Sequence, residues 1–482
     1  MGRLNCAAVA CALGLLVAAA VAPIDAGRTG PELSKAARRR LATYLTLGGS
    51  TRQLQNEKTL NSVNTPLGST CNQKMTQMNI SAFSFYRGSN ELYYRDLANQ
   101  SIITGSAFYG ATASPWIQGD MHLQNAGTFD IDTGKVIYDL NDFDESFVAN
   151  FLYDMYRMAT SIVLVAWENN LSNSTATSCV RSFVNFYCDQ VVKFYSGTAS
   201  SSDVLTSANT YGRIDDLILG AEVSDTRKKM LDSWSYVVSG TRTFDLTNPD
   251  LAAVNATERS AITAAMAAYY TNTVTKAGLQ GNGTYFAVQD IARRLNAGTG
   301  SLGKPRYYVM VEGATTDAAD DRILDVKLQS KPSVYPYLTA TQKAAVDGPL
   351  GGNDAARAVR AYKQLIYKAD NHLGWMSFLG GNYSVRERSP FKESLDTSGV
   401  DLSSLTNLAE QWGVMLANAH CRSDGGSYGT PTSFETVARN LFAGQQDAFK
   451  AEVADFALRY ASQVYTDFSL FRTSLSQNKL CV

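Results

Sequence analysis

The chain has 482 residues, 18% charged and 45% hydrophobic, with 43 Lys and Arg against 44 Asp and Glu. This is the composition of a folded protein with enough apolar residues for two or three ordinary domains or one large two-lobed enzyme. A net charge near zero, with no basic run beyond Arg38-Arg39-Arg40, excludes the electrostatic footprint of a nucleic-acid-binding or anionic-membrane surface.

The N-terminus has Arg3, an Ala/Leu/Val-rich run from Ala7 to Ala22, and Ile24-Asp25-Ala26 before Gly27. We read this as a secretory signal peptide over residues 1–26. An uncleaved anchor is the alternative, since the run approaches spanning length, but its alanine content and Pro23 favour cleavage. No later stretch is apolar enough to span a bilayer. Seven Asn-x-Ser/Thr sequons, at Asn79, Asn99, Asn170, Asn173, Asn255, Asn282 and Asn382, point to N-glycans and a secreted or secretory-lumen location. Five cysteines follow the signal, an odd count that leaves at least one thiol unpaired within the chain. Cys179 and Cys188 fall on one helical periodicity, about 13 Å apart at about 1.5 Å per residue, so within one helix they cannot bridge.

Residues 27–74 are polar and read as a partly disordered arm with one helix over Glu32 to Tyr44. The folded part is expected from Met75, with a short helix over Leu92 to Leu97. Next comes the stretch with most chemical content, Gly119 to Glu145. Asp120 and Asn125 stand five apart in Gly-Asp-x-His-x-x-Asn, and Asp142 follows a predicted β-hairpin turning at Asp132-Thr133-Gly134-Lys135. Kinase-type phosphoryl transfer uses a carboxylate to take a hydroxyl proton. It uses an amide five residues on, and a second carboxylate past a hairpin, to hold magnesium on nucleotide phosphates. A polar turn with capping Asp and Asn is the alternative.

Apolar spacing predicts a helix over Phe147 to Trp167. Asp154 in it either holds the preceding loop through its backbone N–H groups or pairs with Arg157 on the surface. Further helices are expected over Ser178 to Tyr195, Thr226 to Val238 and Glu258 to Ala277, an all-helical block. Strands are expected over Tyr285 to Leu295, Arg306 to Glu312 and Arg322 to Gln329. Between the first two lies a glycine-rich turn with Gly298, Gly300 and Gly303. A strand rather than a helix after this turn suits a flap over ATP phosphates better than a dinucleotide site, a plain hairpin being the alternative. Lys327, one strand on, can reach such phosphates, or else is an edge-strand lysine. Helices resume over Thr339 to Val346, Ala355 to Asp370, Leu405 to His420 and Phe434 to Phe471, with a strand over Tyr383 to Arg388. His122, His372 and His420 are assigned no chemistry.

The set Gly119 to Asn125, Asp139 to Glu145, Asp154-x-x-Arg157, Gly298 to Gly303, Val326-Lys327, Asp370-x-x-Leu-Gly-Trp375, Val385-Arg386 to Lys392 and Leu416 to His420 resembles the domain of unknown function 2252 family, over about Phe83 to Phe471. That family has no assigned activity and is grouped with kinase-like folds; its central motif is similar to that of aminoglycoside and choline kinases. Gln118 stands where those kinases have His, and Tyr362 where a Gln is expected. The resemblance implies an α+β, two-lobed protein-kinase-like fold. Because the catalytic loop precedes the glycine-rich strands, the fold would be circularly permuted. Residues 75–280 would give the large-lobe part with the catalytic loop, 281–390 the small lobe, and 391–482 C-terminal helices. The implied activity is Mg2+- and ATP-dependent transfer to a hydroxyl of an unknown acceptor. Asp120 would be catalytic, Asn125 and Asp142 would hold metal, and Gly298, Gly300, Gly303 and Lys327 would hold nucleotide. A non-catalytic kinase-like binding protein and a metal-dependent phosphoesterase are the alternatives.

Overall fold

The computed structural model describes residues 49–482 other than 100, 299, 301, 348–349 and 424–432, so the signal segment and the helix expected over Glu32 to Tyr44 lie outside the described residues. The described chain opens with four helices, α1 (Gly49–Asn64), α2 (Thr70–Met78), α3 (Ala82–Gly88) and α4 (Asn90–Asn99). The segment read as a polar arm is therefore helical from residue 49. It is held by buried charge rather than an apolar stripe. Arg52 pairs with Asp96 at 2.6 Å and Asp467 at 2.5 Å, and Asn56 donates to Asp467 at 2.8 Å. Composition does not reveal such a helix, because its partners lie 44 and 415 residues away.

Strand β1 (Trp116–Ile117) pairs with β4 (Phe147–Val148), and between them β2 (Ala126–Asp130) and β3 (Val136–Leu140) form the expected hairpin, Ala126 opposite Leu140. Gly134 supplies the positive φ of its turn, +77°. The helices α5 (Leu152–Glu168) and α6 (Asn173–Tyr195) follow, and α6 carries both Cys179 and Cys188 as buried free thiols. The block expected to be all helical is not. After α7 (Arg213–Ser224) and α8 (Arg227–Asp232), residues Ser235–Val238 (β5) and Thr241–Phe244 (β6) form a hairpin and Leu251–Ala253 (β7) a further strand. The helix expected over Thr226 to Val238 stops at Asp232, and its last four residues form β5, which turns into β6 at Ser239 and Gly240, at φ +51° and +88°. Helix α9 (Ala256–Ala268) begins at an Asn255/Glu258 capping box.

Strands β8 (Val288–Arg294), β9 (Arg306–Val311) and β10 (Arg322–Leu328) are followed by helices α10 (Ala340–Asp347) and α11 (Asp354–Leu365), then β11 (Gly374–Phe378) and β12 (Gly381–Glu387). They build one antiparallel sheet in the order β11-β12-β10-β9-β8-β7. Side-chain alternation assigns its faces. Tyr307, Val309, Leu324, Val326 and Val385 pack with Ile262 and Met266 of α9, and Tyr308, Met310 and Ile323 pack with Trp234 and Phe244. Asp325 and Lys327 share the second face. The C-terminal helices α12 (Leu402–Arg422), α13 (Phe434–Phe442) and α14 (Gln446–Ser476) complete the larger helical core with α5 and α6. The fold is α+β, and among the described residues no helix is long and apolar enough to cross a membrane.

A disulfide joins Cys71 of α2 to Cys481, 410 residues on, while Cys179 and Cys188 are free thiols. Closing so long a loop restricts the unfolded chain, which stabilises the fold by about 2–5 kcal/mol. Cys481→Ser should lower the denaturation free energy by an amount in this range, and a reducing agent should then leave the variant's urea midpoint unchanged while lowering that of the wild type.

Candidate active site

The loop before β2 is held from below by Asp154, in the first turn of α5. Its buried carboxylate accepts the N–H of Gln118 at 2.6 Å and of Gly119 at 2.9 Å. His420 Nε2 stands 3.3 Å from the same carboxylate, and Tyr187 Oη stands 2.8 Å from His420 Nδ1. Arg157, one turn along, pairs with Asp120 instead, its Nε donating at 2.6 Å. The Gln118 side chain staples the two halves of the motif, donating to the Asp142 carbonyl at 2.6 Å and accepting the Asp120 N–H at 2.7 Å. Gly119 has φ +84° and lies so close to the Glu145 carbonyl that a Cβ would stand 2.1 Å from it, so only glycine fits.

Asp120 is thus positioned by Arg157 through Oδ1, while Oδ2 has His122 Nε2 at 3.7 Å. Burial, helped by the charges of Glu145 and Asp142 and opposed by Arg157, pushes the Asp120 carboxyl up to about 7, near the pH at which a general base works. His122 accepts the Gln124 N–H through Nδ1, and burial with the Arg87 and Arg157 charges keeps it neutral. The Asn125 side chain donates to the Asp120 carbonyl at 2.9 Å, and its amide oxygen carries no hydrogen bond within the described chain.

The hairpin returns the chain to this loop, the Asn141 N–H reaching the Asn125 carbonyl at 3.1 Å. Lys327 of β10 meets it from the sheet, 3.3 Å from Asp142 Oδ2 and 2.6 Å from Asp144 Oδ2. Burial alone would raise the Asp144 carboxyl, but Lys327, Lys304 and the Gln329 amide hold it well below the ordinary range. Burial disfavours the Lys327 charge, yet Asp142 and Asp144 hold its ammonium above its ordinary value. Tyr362 of α11, standing where a Gln is expected, stacks on Phe143, with ring centroids 4.5 Å apart. Arg357 of the same helix instead grips the Asp144 and Ser330 carbonyls at 2.8 and 3.0 Å.

Gly298 and Gly300 line one 80 Å³ cavity with Asp120, Asn125, Asp142 and Asp144, and Lys327 lines an adjoining 40 Å³ cavity that shares Asp142 and Asp144. Gly303 stands apart from both. A Cβ there would lie 2.1 Å from Thr70 Oγ1, so its bareness serves the packing of the turn on α2. Lys74, Arg87, Asn90 and Glu91 also line the larger cavity and carry no sequence motif; Lys304 and Glu145 do so beside the glycine turn and the Asp142 motif. The hard oxygen donors of Asp142 and Asn125 are the kind that hold magnesium rather than zinc or copper. A separate group, Asp370, His372 and Glu387, borders a 620 Å³ cavity near the hairpin tip. There Glu387 is already paired with Arg227 and Arg322, and the two carboxylates outweigh burial in raising the His372 imidazole, so the group closes as an ion-pair cluster.

Residues 68–474 match the model of a family described as "Uncharacterized protein conserved in bacteria (DUF2252)", and the chain belongs to that family. No curated protein and no solved structure matches the chain.

Because Asp120 has its carboxyl raised in the folded state, the native protein binds a proton that the unfolded chain has already lost. This contribution is present at low pH and disappears as pH rises through about 7. The stability of Asp120→Asn relative to wild type should therefore increase between pH 5 and pH 8 in urea denaturation; a constant difference across that window would refute the raised carboxyl. Asp154→Ala leaves two backbone N–H groups and His420 without their acceptor, and should cost about 2–5 kcal/mol by the same measurement.

Proposed function

We propose that this member of the DUF2252 family is a secreted phosphotransferase using Mg2+ and ATP, with a circularly permuted, two-lobed kinase-like architecture. The observation that carries the reading is the meeting of Lys327 with Asp142 and Asp144 across 185 residues of chain, beside a cavity bordered by Asp120, Asn125 and the glycine turn. Kinases have a glycine-rich turn followed by a lysine on the third strand of the same sheet, and a catalytic Asp with an Asn five residues on. Here β8, the turn, β9 and Lys327 on β10 follow that order, while Asp120 and Asn125 come earlier in the chain instead of later.

In this reading Asn125 and Asp142 hold Mg2+, which supplies charge neutralisation on the nucleotide phosphates. Lys327 and the backbone at Gly298 and Gly300 hold the phosphates; Gly303 acts through its packing on α2. An acceptor hydroxyl attacks the terminal phosphorus, the bond to the bridging oxygen breaks, and the proton passes to Asp120. Arg157 fixes Asp120 Oδ1, leaving Oδ2 to take that proton. Cavities of 80 and 40 Å³ are smaller than a triphosphate, so nucleotide binding requires the cleft to be wider than it is here. The phosphoesterase alternative gains no support, since His372 and His420 are occupied by Asp370 and Tyr285, and by Asp154 and Tyr187. Secretion is supported by the disulfide, which an oxidising compartment maintains, and by the exposure of sequon residues Asn79, Asn170, Asn173 and Asn255.

Mg2+ with ATP should raise the thermal midpoint of the wild type, by about 2.7 kcal/mol of stabilisation when ligand is a hundredfold above its Kd. Asp142→Ala should abolish this shift. A wild-type midpoint indifferent to Mg2+ and ATP, or a shift that persists in Asp142→Ala, would discard the reading.

A further inference from the structure

Buried cations in this protein are matched by anions with few exceptions. Arg52 has Asp96 and Asp467, Arg157 has Asp120, Arg306 has Asp325, Arg422 has Asp139, and Lys327 has Asp142 and Asp144. Lys74 and Arg87 depart from the pattern, and both line the cavity that contains Asp120. Lys74, on α2, is 4% exposed, and its one hydrogen bond is a long one, 3.4 Å to the Gly300 carbonyl. Arg87, in the last turn of α3, is partly buried; among the described residues it makes no ion pair, and its buried Nε has no partner. Neither cation has a carboxylate within ion-pair distance; Glu91 and Asp120 act on Lys74 and Arg87 only from further off, and burial outweighs them, so an anion entering the cavity would meet two cations that lack a contact partner.

The same cavity wall carries unsatisfied acceptors. Asn90 Oδ1 and Glu91 Oε2 are buried without hydrogen-bond donors. Of the other carboxylates lining the cavity, Glu145 is engaged by the Ser333 N–H at 2.6 Å and the Asn90 amide at 3.2 Å, Asp120 by Arg157, and Asp142 and Asp144 by Lys327. A ligand that completes this wall therefore has an anionic group for Lys74 and Arg87 and hydroxyl donors for Asn90 and Glu91. Lys74, Arg87 and Asp120 line one cavity and Lys327 the adjoining one, so the anion belongs at the Asp120 end rather than at Lys327.

We infer that Lys74 and Arg87 form an anion subsite beside Asp120, so that the acceptor is a polyhydroxylated compound carrying a phosphate or carboxylate group. The inference rests on the phosphotransferase reading for the word acceptor, but the subsite itself does not.

Inorganic phosphate is the probe, titrated into the intact protein in EDTA so that no metal site contributes, with the thermal midpoint as readout. Wild type should show a saturable rise. Lys74→Met and Arg87→Met should each weaken it at least about tenfold, and Lys74→Arg should restore it. Where Lys74→Met fails to fold, Arg87→Met decides alone. Lys327→Met should keep the phosphate response; its loss there, with retention in the Lys74 and Arg87 variants, would move the anion to the nucleotide end and overturn the proposal. No response in wild type would also overturn it. Acetate in place of phosphate separates a carboxylate-bearing from a phosphate-bearing ligand. Asp142→Ala discriminates the two readings: it should lose the Mg2+ and ATP response while keeping that to phosphate, so either can fail without the other.

Discussion

The ammonium of Lys327 joins two parts of the chain that are remote in sequence. It is shared between Asp142, which the β2–β3 hairpin delivers, and Asp144, two residues on. Lys327 and Asp144 are largely taken out of water and would be costly to bury alone, while Asp142 stays partly exposed. The cost is met by mutual pairing, by the Gln329 amide on Asp144, and by the grip of Arg357 on the carbonyls of the same turn. The arrangement is therefore conditional: displacing any one member exposes the others to desolvation without compensation, which is why sheet, hairpin and α11 converge there.

The other side of the cleft is organised by backbone rather than side-chain charge. Asp154 accepts two consecutive N–H groups, and Gln118 bridges to the Asp142 carbonyl, so the Asp120 loop and the Asp142 turn move as one piece. Gly119 permits the close approach to Glu145 that makes this union possible. With the loop anchored through its backbone, the Asp120 carboxylate faces Arg157 through Oδ1 and His122 through Oδ2, and burial outweighs the Arg157 charge in raising its proton affinity. Backbone placement of the loop and a raised carboxyl on it are compatible for this reason.

What was legible in the sequence was local. Residues Gly119 to Glu145 announce a loop, a hairpin and a second acidic turn because the turn residues and the strand alternation are all within 27 positions. The helical period through Cys179 and Cys188 excludes their pairing for the same local reason. What was not legible depends on tertiary partners. Helix α1 looks like a solvated arm until Asp467 is beside Arg52. Gly303 looks like a phosphate-loop residue until Thr70 is seen against it. Tyr362, expected to be a Gln facing Lys327, is explained by the Phe143 ring it stacks on. Lys74 and Arg87 carry no motif, since an uncompensated charge becomes visible only when its neighbours are known.

The permuted lobe order proposed above asks one thing of the physics, that the ends of the domain lie near each other, so that a chain broken elsewhere loses no contact. Cys71 and Cys481 are bonded, Thr65 donates to the Val482 carbonyl at 3.1 Å, and Asn61 to that of Lys479 at 2.8 Å. The same closure bears on the cleft. Helix α2, tied through Cys71 to the C-terminus, carries both Thr70, against which Gly303 packs, and Lys74, which reaches the Gly300 carbonyl. A glycine turn that hangs free is anchored only by its two strands; this one has a third support, fixed covalently to the far end of the chain. Moving Gly303 therefore works against its packing on α2, and an anion that draws Lys74 away from the Gly300 carbonyl would remove one of the turn's supports.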